Sequence, residues 1–272
     1  MLSIALLRAV FDTPAKKAQL VEQLTLAQQQ GADLVVLPEL PYNPWSPAVR
    51  QANPEDAEAP GGWREAMQNA AARAAGIAVL GGVIRLAGNC FNTALLSDAE
   101  GRTIASYAKV HLPDEEGFRE TCHYAPGTAP PQVIQAMEAR IGLQICSDAN
   151  RPVGSQLLAA QGAQIILAPR ATSVATWDRW RLVYQAMALT CATWVVSVGR
   201  PGPERGVPIG GPSLVVNPQG EVVLETTETL VVIELDLSAA DEARKHYPGY
   251  LQWPAGTYAN WWAAADVING PV

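Results

Sequence analysis

The sequence predicts an α/β protein built on a mixed sheet or on two sheets packed together. Three observations carry this. Period-2 and period-3.6 apolar patterns alternate along most of the chain. Hairpin turn signals interrupt that alternation, which adds antiparallel pairs to the parallel ones of βα units. With 272 residues, 49% of them hydrophobic, the chain can bury a sizeable core.

The elements follow in order. Residues 3–9 read as a strand, 14–30 as a helix stopped by Gly31, and 33–37 as a strand that is β-branched or leucine inside. Residues 63–75 have helical spacing closed by Gly76, and 77–83 form the next strand. Strands 92–97 and 102–107 flank the turn signal Asp98-Ala-Glu-Gly101. Residues 132–135 and 139–146 pair as strands. A helix (154–161), a strand (164–167), a long helix (175–190) and a strand (193–198) follow. Strands 213–217, 221–225 and 230–236 close the pattern, with Asn217-Pro-Gln-Gly220 as a turn. Beyond His246 the composition shifts to Tyr, Trp, Pro and Gly. Exposed aromatics are unfavourable in water, so residues 251–272 are expected to pack on their own domain or on a second subunit.

Composition excludes several classes. A net charge of −7 without a Lys/Arg run lacks the footprint of a nucleic-acid binder. The apolar start Met1-Leu-Ser-Ile-Ala-Leu-Leu7 has no basic n-region and is too short for a signal peptide, so it reads as the first strand. No stretch approaches a membrane span. Four dispersed cysteines (90, 122, 146 and 191) form neither a zinc pattern nor a disulfide scaffold, and they suit a reducing cytoplasm. Three histidines supply a His-based metal site or a Ser-His-Asp triad poorly.

Three stretches carry candidate chemistry. In Ala139-Arg-Ile-Gly-Leu-Gln-Ile-Cys146, apolar alternation places Ile141, Leu143 and Ile145 on one face and Cys146 on the other, at the strand's end. A thiol ahead of a helix N-terminus is favoured as thiolate, although a free cysteine is also an ordinary small buried residue. Glu39 follows the apolar strand Leu34-Val-Val-Leu37 and Pro38; a carboxyl held there suits a general base. Lys109, after the strand ending at Tyr107, would stabilise a forming oxyanion. Each alone also fits a structural or solvated role.

Together and in this order, Leu-Pro-Glu-Leu at 37–40, Lys-Val-His-Leu-Pro-Asp at 109–114 and Gly-Leu-Gln-Ile-Cys-Ser-Asp at 142–148 resemble the nitrilase superfamily of carbon–nitrogen hydrolases. Tyr-Ala-Pro-Gly at 124–127, Gln-Gly-Ala at 161–163 and Gly-Pro-Ser-Leu-Val-Val-Asn-Pro-Gln-Gly at 211–220 extend the resemblance. It implies a four-layer α-β-β-α sandwich with two packed mixed sheets, forming one hydrolase domain over residues 1–250. It also implies a homodimer or higher homo-oligomer, no metal and no cofactor. By position, Glu39 matches the base, Lys109 the oxyanion stabiliser, Cys146 the nucleophile and Glu120 a second glutamate beside the lysine.

The expected reaction is cleavage of a non-peptide C–N bond in a small linear amide or N-carbamoyl compound, through a thioester on Cys146. The backbone N–H of Ser147 would share the oxyanion with Lys109. Arg170 is a candidate clamp for a substrate carboxylate, with an ion pair elsewhere as the ordinary alternative. Tyr42, Trp45 and Trp177 are candidate pocket walls, or core. Ser147, Val153, Thr121, Thr190 and Cys191 depart from the family's usual residues around the triad. Two further readings stay open: a nitrilase making acid and ammonia, and a non-hydrolytic binding or thiol-sensing subunit. Asp148 sides with the amidase and carbamoylase branches.

Overall fold

The computed structural model describes residues 1–265. Its alternating strands sort their side chains between layers. In Leu2–Leu7, Ile4 and Leu6 join one apolar cluster while Ala5 and Leu7 join another, as period 2 requires. The same split runs through every central strand and generates the architecture.

One sheet of seven strands has the order Leu230–Leu235, Leu2–Leu7, Leu34–Val36, Ala78–Ala87, Asn89–Ser97, Thr103–Ala108, with Ala57–Glu58 paired beside Ala78–Ala87. Its centre is parallel and its flanks antiparallel. The second sheet runs Val222–Thr226, Ser213–Val216, Trp194–Ser197, Ile165–Leu167, Ala139–Leu143, Ile134–Ala136, again parallel in the middle. Ile4, Leu34 and Leu80 of the first sheet share a cluster with Ile141, Leu167 and Val196 of the second, so the sheets pack face to face. Helices Lys17–Gln29 and Trp63–Ala75 cover the outer face of the first sheet through Leu20, Leu24, Met67 and Ala71. Helices Val153–Ala160 and Trp177–Cys191 cover the second through Leu158, Tyr184 and Met187. This is the α-β-β-α sandwich the resemblance implied.

Several boundaries differ from the sequence reading. Residues 77–83 and 92–97 prove to be parts of one long hairpin, Ala78–Ala87 with Asn89–Ser97, turned at Gly88. Gly88 has φ +77, a conformation in which a side chain is strained. The strand expected to reach Cys146 ends at Leu143, and Cys146–Asn150 is a 3₁₀ turn. Cys146 itself has φ +46, and this reversal places it in the inter-sheet cluster beside Ile145 instead of on the opposite face. In the aromatic tail, Trp253 packs on the outer cluster of the second sheet. Ala255–Ala264 is helical, with Trp261 and Trp262 exposed. Of the tail, residues 266–272 lie outside the described residues. No helix among the described residues is long and apolar enough to cross a membrane.

Candidate active site

The ends of four strands converge on one buried spot. Glu39 lies just beyond Leu34–Val36, Lys109 beyond Thr103–Ala108, Cys146 beyond Ala139–Leu143, and Ala171 beyond Ile165–Leu167. Glu39, Lys109, Glu120 and Cys146 are each 3% exposed or less. Lys109 Nζ sits between two carboxylates, 2.8 Å from Glu39 Oε1 and 2.6 Å from Glu120 Oε1. The other Glu39 oxygen, Oε2, accepts the Ala171 backbone N–H at 2.8 Å, and the Ala171 carbonyl lies 3.5 Å from Cys146 Sγ. One peptide segment thereby touches both Glu39 and Cys146.

Sequence reasoning missed Asn92. Its Nδ2 donates to Glu39 Oε1 at 2.8 Å and lies 3.3 Å from Glu120 Oε2, so it ties the two carboxylates together. By its pattern Asn92 is only the first residue of a strand. An amide at the inward position of a strand that otherwise turns Ala94 and Leu96 to the core was the available signal. Asp148, noted only as a family marker, links the two motif loops. Its Oδ1 accepts the backbone N–H groups of Val110 and His111, and its Oδ2 accepts Tyr107 Oη at 2.9 Å and the Ile145 N–H. Ser147 Oγ donates to the His111 carbonyl, adding a second tie.

Electrostatics follow from burial. Burial alone would lower the Lys109 pKa, but Glu120 and Glu39 outweigh it and hold the ammonium well above an ordinary lysine. Burial pushes Glu120 up to about 7, against the pull of Lys109. Burial, with Glu39 adding to it, also pushes the Cys146 thiol up, although Lys109 and the Ala171 contact oppose this. This corrects the expectation of a dipole-stabilised thiolate. The first full helix turn begins only at Val153, and desolvation dominates at the cysteine. The thiol proton therefore needs a base.

Arg170, Trp177, Tyr42 and Trp45 each make contacts within the protein. Arg170 is fully buried, and both terminal nitrogens of its guanidinium are engaged inside the protein, while Nε has no partner. Nη1 donates to Ser197 Oγ at 2.9 Å, Nη2 bonds the Pro212 carbonyl, and the guanidinium stacks 4.4 Å from the Trp177 ring. Trp177 in turn bonds Glu225 through Nε1 at 2.8 Å. Tyr42 is fully buried in the cluster beneath the first sheet. Trp45 is fully buried against Phe118, with Nε1 on the Gly117 carbonyl at 2.8 Å. A cavity of about 1020 Å³ opens beside the site, lined among others by His111, Thr121, Tyr124, Ser147, Arg151 and Trp180.

Two packed sheets thus hold a carboxylate–lysine–carboxylate cluster beside a buried cysteine, and the comparisons with known proteins give the class: a hydrolase of C–N bonds. The family described as carbon-nitrogen hydrolase matches residues 7–245, and the chain belongs to it. The omega-amidase NIT2 of Homo sapiens is 30% identical over 244 residues, covering 86% of this chain and 87% of that protein. A carbon-nitrogen hydrolase from Helicobacter pylori G27 superposes with a TM-score of 0.82 at 22% identity, covering 96% of this chain and 98% of that one. An amidase of the nitrilase superfamily from Nesterenkonia AN1, as a cysteine-to-alanine mutant, is 26% identical with a TM-score of 0.78, covering 96% and 97%. In a glutamate-to-leucine mutant of the Nesterenkonia amidase, the acetamide moiety of fluoroacetamide is added covalently at the active-site cysteine.

Proposed function

We propose that the chain hydrolyses a small linear amide or N-carbamoyl compound, without a cofactor, through a thioester on Cys146. The observation that carries this is the buried Lys109 ammonium held between Glu39 and Glu120, beside a cysteine whose thiol burial pushes up. In this reading Glu39 takes the thiol proton as sulfur attacks the carbonyl carbon. The oxyanion forms against Lys109 and the Ser147 backbone N–H, in a site where burial strengthens each contact. Glu39 then hands its proton to the departing ammonia or amine, and the C–N bond breaks to leave the acyl-thioester. Water, deprotonated by Glu39, attacks next; the C–S bond breaks and the thiol is restored as the acid leaves. Glu120 and Asn92 keep Lys109 and Glu39 in register throughout.

Amidase relatives favour an amide over a nitrile. A thiol-sensing role fits poorly, because sensor cysteines are accessible and acidic, whereas Cys146 is 3% exposed and pushed up. The geometry does not support a carboxylate clamp at Arg170, so no acidic substrate is inferred from it. Ammonia release from a panel of amides, ureido acids and nitriles tests the proposal. Turnover of amides or ureido acids is expected. Turnover of nitriles alone would make it a nitrilase, and no turnover with reversible oxidation of Cys146 would favour the sensor.

A further inference from the structure

Glu39 is gripped by its backbone as well as its carboxylate, and the grip comes from a residue 161 positions away. Arg200 follows the strand Trp194–Ser197 and is fully buried. Its Nη1 donates to the carbonyls of Glu39 (3.0 Å) and Leu40 (2.6 Å), and its Nη2 to that of Asn43 (2.8 Å). Glu204 orients the guanidinium, with Oε2 2.9 Å from Nε and 2.8 Å from Nη2. The other Glu204 oxygen accepts the Trp45 backbone N–H at 2.6 Å. Leu40 has φ +48, a left-handed conformation that is strained for a leucine. Strain of that kind persists only where the surroundings enforce it.

The same unit reaches the second carboxylate. The Trp45 ring lies 5.7 Å from the Arg200 guanidinium and packs edge-on against Phe118. Its Nε1 holds the Gly117 carbonyl. Gly117 and Phe118 belong to the small hairpin of Asp114–Glu115 and Phe118–Arg119 that runs directly into Glu120. Arg200, Glu204 and Trp45 thus join the backbone behind Glu39 to the backbone ahead of Glu120.

We propose that Arg200, oriented by Glu204, is a positioning residue for the base: it sets where Glu39 stands relative to Cys146 and, through Trp45, where Glu120 stands relative to Lys109. This rests on the reading of Glu39 as general base. Three carbonyls in different directions require a planar fork, which a lysine ammonium cannot reproduce. A shift of about 1 Å in a catalytic group is worth up to about 100-fold in rate.

The test compares Arg200→Lys, Glu204→Gln and Trp45→Phe with the wild-type full chain. It reads kcat and KM on an amide that the wild type turns over, the melting temperature, and the rate at which iodoacetamide alkylates Cys146, followed by peptide mass spectrometry. Arg200→Lys is expected to lower kcat by about 10–100-fold, with KM within about threefold and slower alkylation of Cys146 in folded protein. Glu204→Gln keeps an acceptor for Trp45 and should lose less. An arginine that merely held the fold together would lower the melting temperature but leave kcat per folded site and Cys146 alkylation unchanged. That result in a folded Arg200→Lys protein overturns the proposal. If Arg200→Lys does not fold, wild-type kcat and alkylation in both other variants overturn it instead. A wild type that turns over nothing sinks the functional reading alone, and the alkylation rates still decide the role of Arg200.

Discussion

Replacing Glu39 by glutamine separates what the carboxylate does for the fold from what it does for the reaction. The side chain is fully buried and accepts three hydrogen bonds: Lys109 and Asn92 on Oε1, and the Ala171 N–H on Oε2. All three partners are donors. A glutamine must therefore turn its NH₂ toward at least one of them, whichever way it flips. The better flip keeps its oxygen on Lys109 and Asn92 and orphans the Ala171 N–H, at about 1–3 kcal/mol. Losing the charge from the Lys109 contact adds about 1–2 kcal/mol, moderated because Glu120 still faces the ammonium. The sum, about 2–5 kcal/mol, is within the stability of an ordinary domain, so the variant should fold. At about 2–4 °C per kcal/mol for a chain of roughly this size, its melting temperature should fall by about 4–20 °C. At 25 °C nearly all of it remains native. Removal of a general base costs about 10²–10⁴ in kcat, far more than that unfolding explains. The assay is kcat per folded site beside a melting curve. A kcat within about threefold of wild type would refute the role of Glu39, and an unchanged melting temperature would refute the three-donor geometry.

Arg170→Ala should lower the melting temperature and depress activity on charged and neutral substrates alike, because it unstacks Trp177 and frees Ser197 and Pro212. A selective rise in KM for carboxylate substrates would restore the clamp. Glu120 is held up to about 7, so its carboxylate costs the fold nothing below the ordinary value of 4.5, and the cost grows as pH rises through about 7. Glu120→Gln should accordingly compare better with wild type in melting temperature at pH 8 than at pH 5.5, and the opposite trend would contradict the assignment. EDTA should leave turnover unchanged while iodoacetamide removes it; activity restored only by added metal would overturn the cofactor-free reading.

Much of the fold was legible because it is written in local periodicity. Alternation in Leu2–Leu7 and helical spacing in Trp63–Ala75 act within a few residues, so the sequence exposes them directly. Glu39, Lys109 and Cys146 stood out because each interrupts an apolar strand end with a reactive group. What stayed hidden is long-range. Ala171 meets Glu39 through a backbone N–H 132 residues away, and backbone groups carry no residue signature. Arg200 resembles any loop arginine until three distant carbonyls are found on it. Trp45 and Trp177 suit a pocket wall and a core equally well by composition; only packing shows them closing on arginines. The thiol's raised pKa is not legible in the sequence, because the dipole argument is local while desolvation depends on both sheets closing over Cys146.

The most direct test of the account is intact-mass analysis of the protein mixed rapidly with its best amide, run beside Cys146→Ala. Losing one sulfur at the start of the 3₁₀ turn removes little buried area, so the variant should fold and bind ligand while lacking the thiol that the account makes the nucleophile. The account predicts a transient adduct equal to the amide minus its amine, located on Cys146, and no adduct and no ammonia release from Cys146→Ala. Ammonia release at the wild-type rate from folded Cys146→Ala would contradict it.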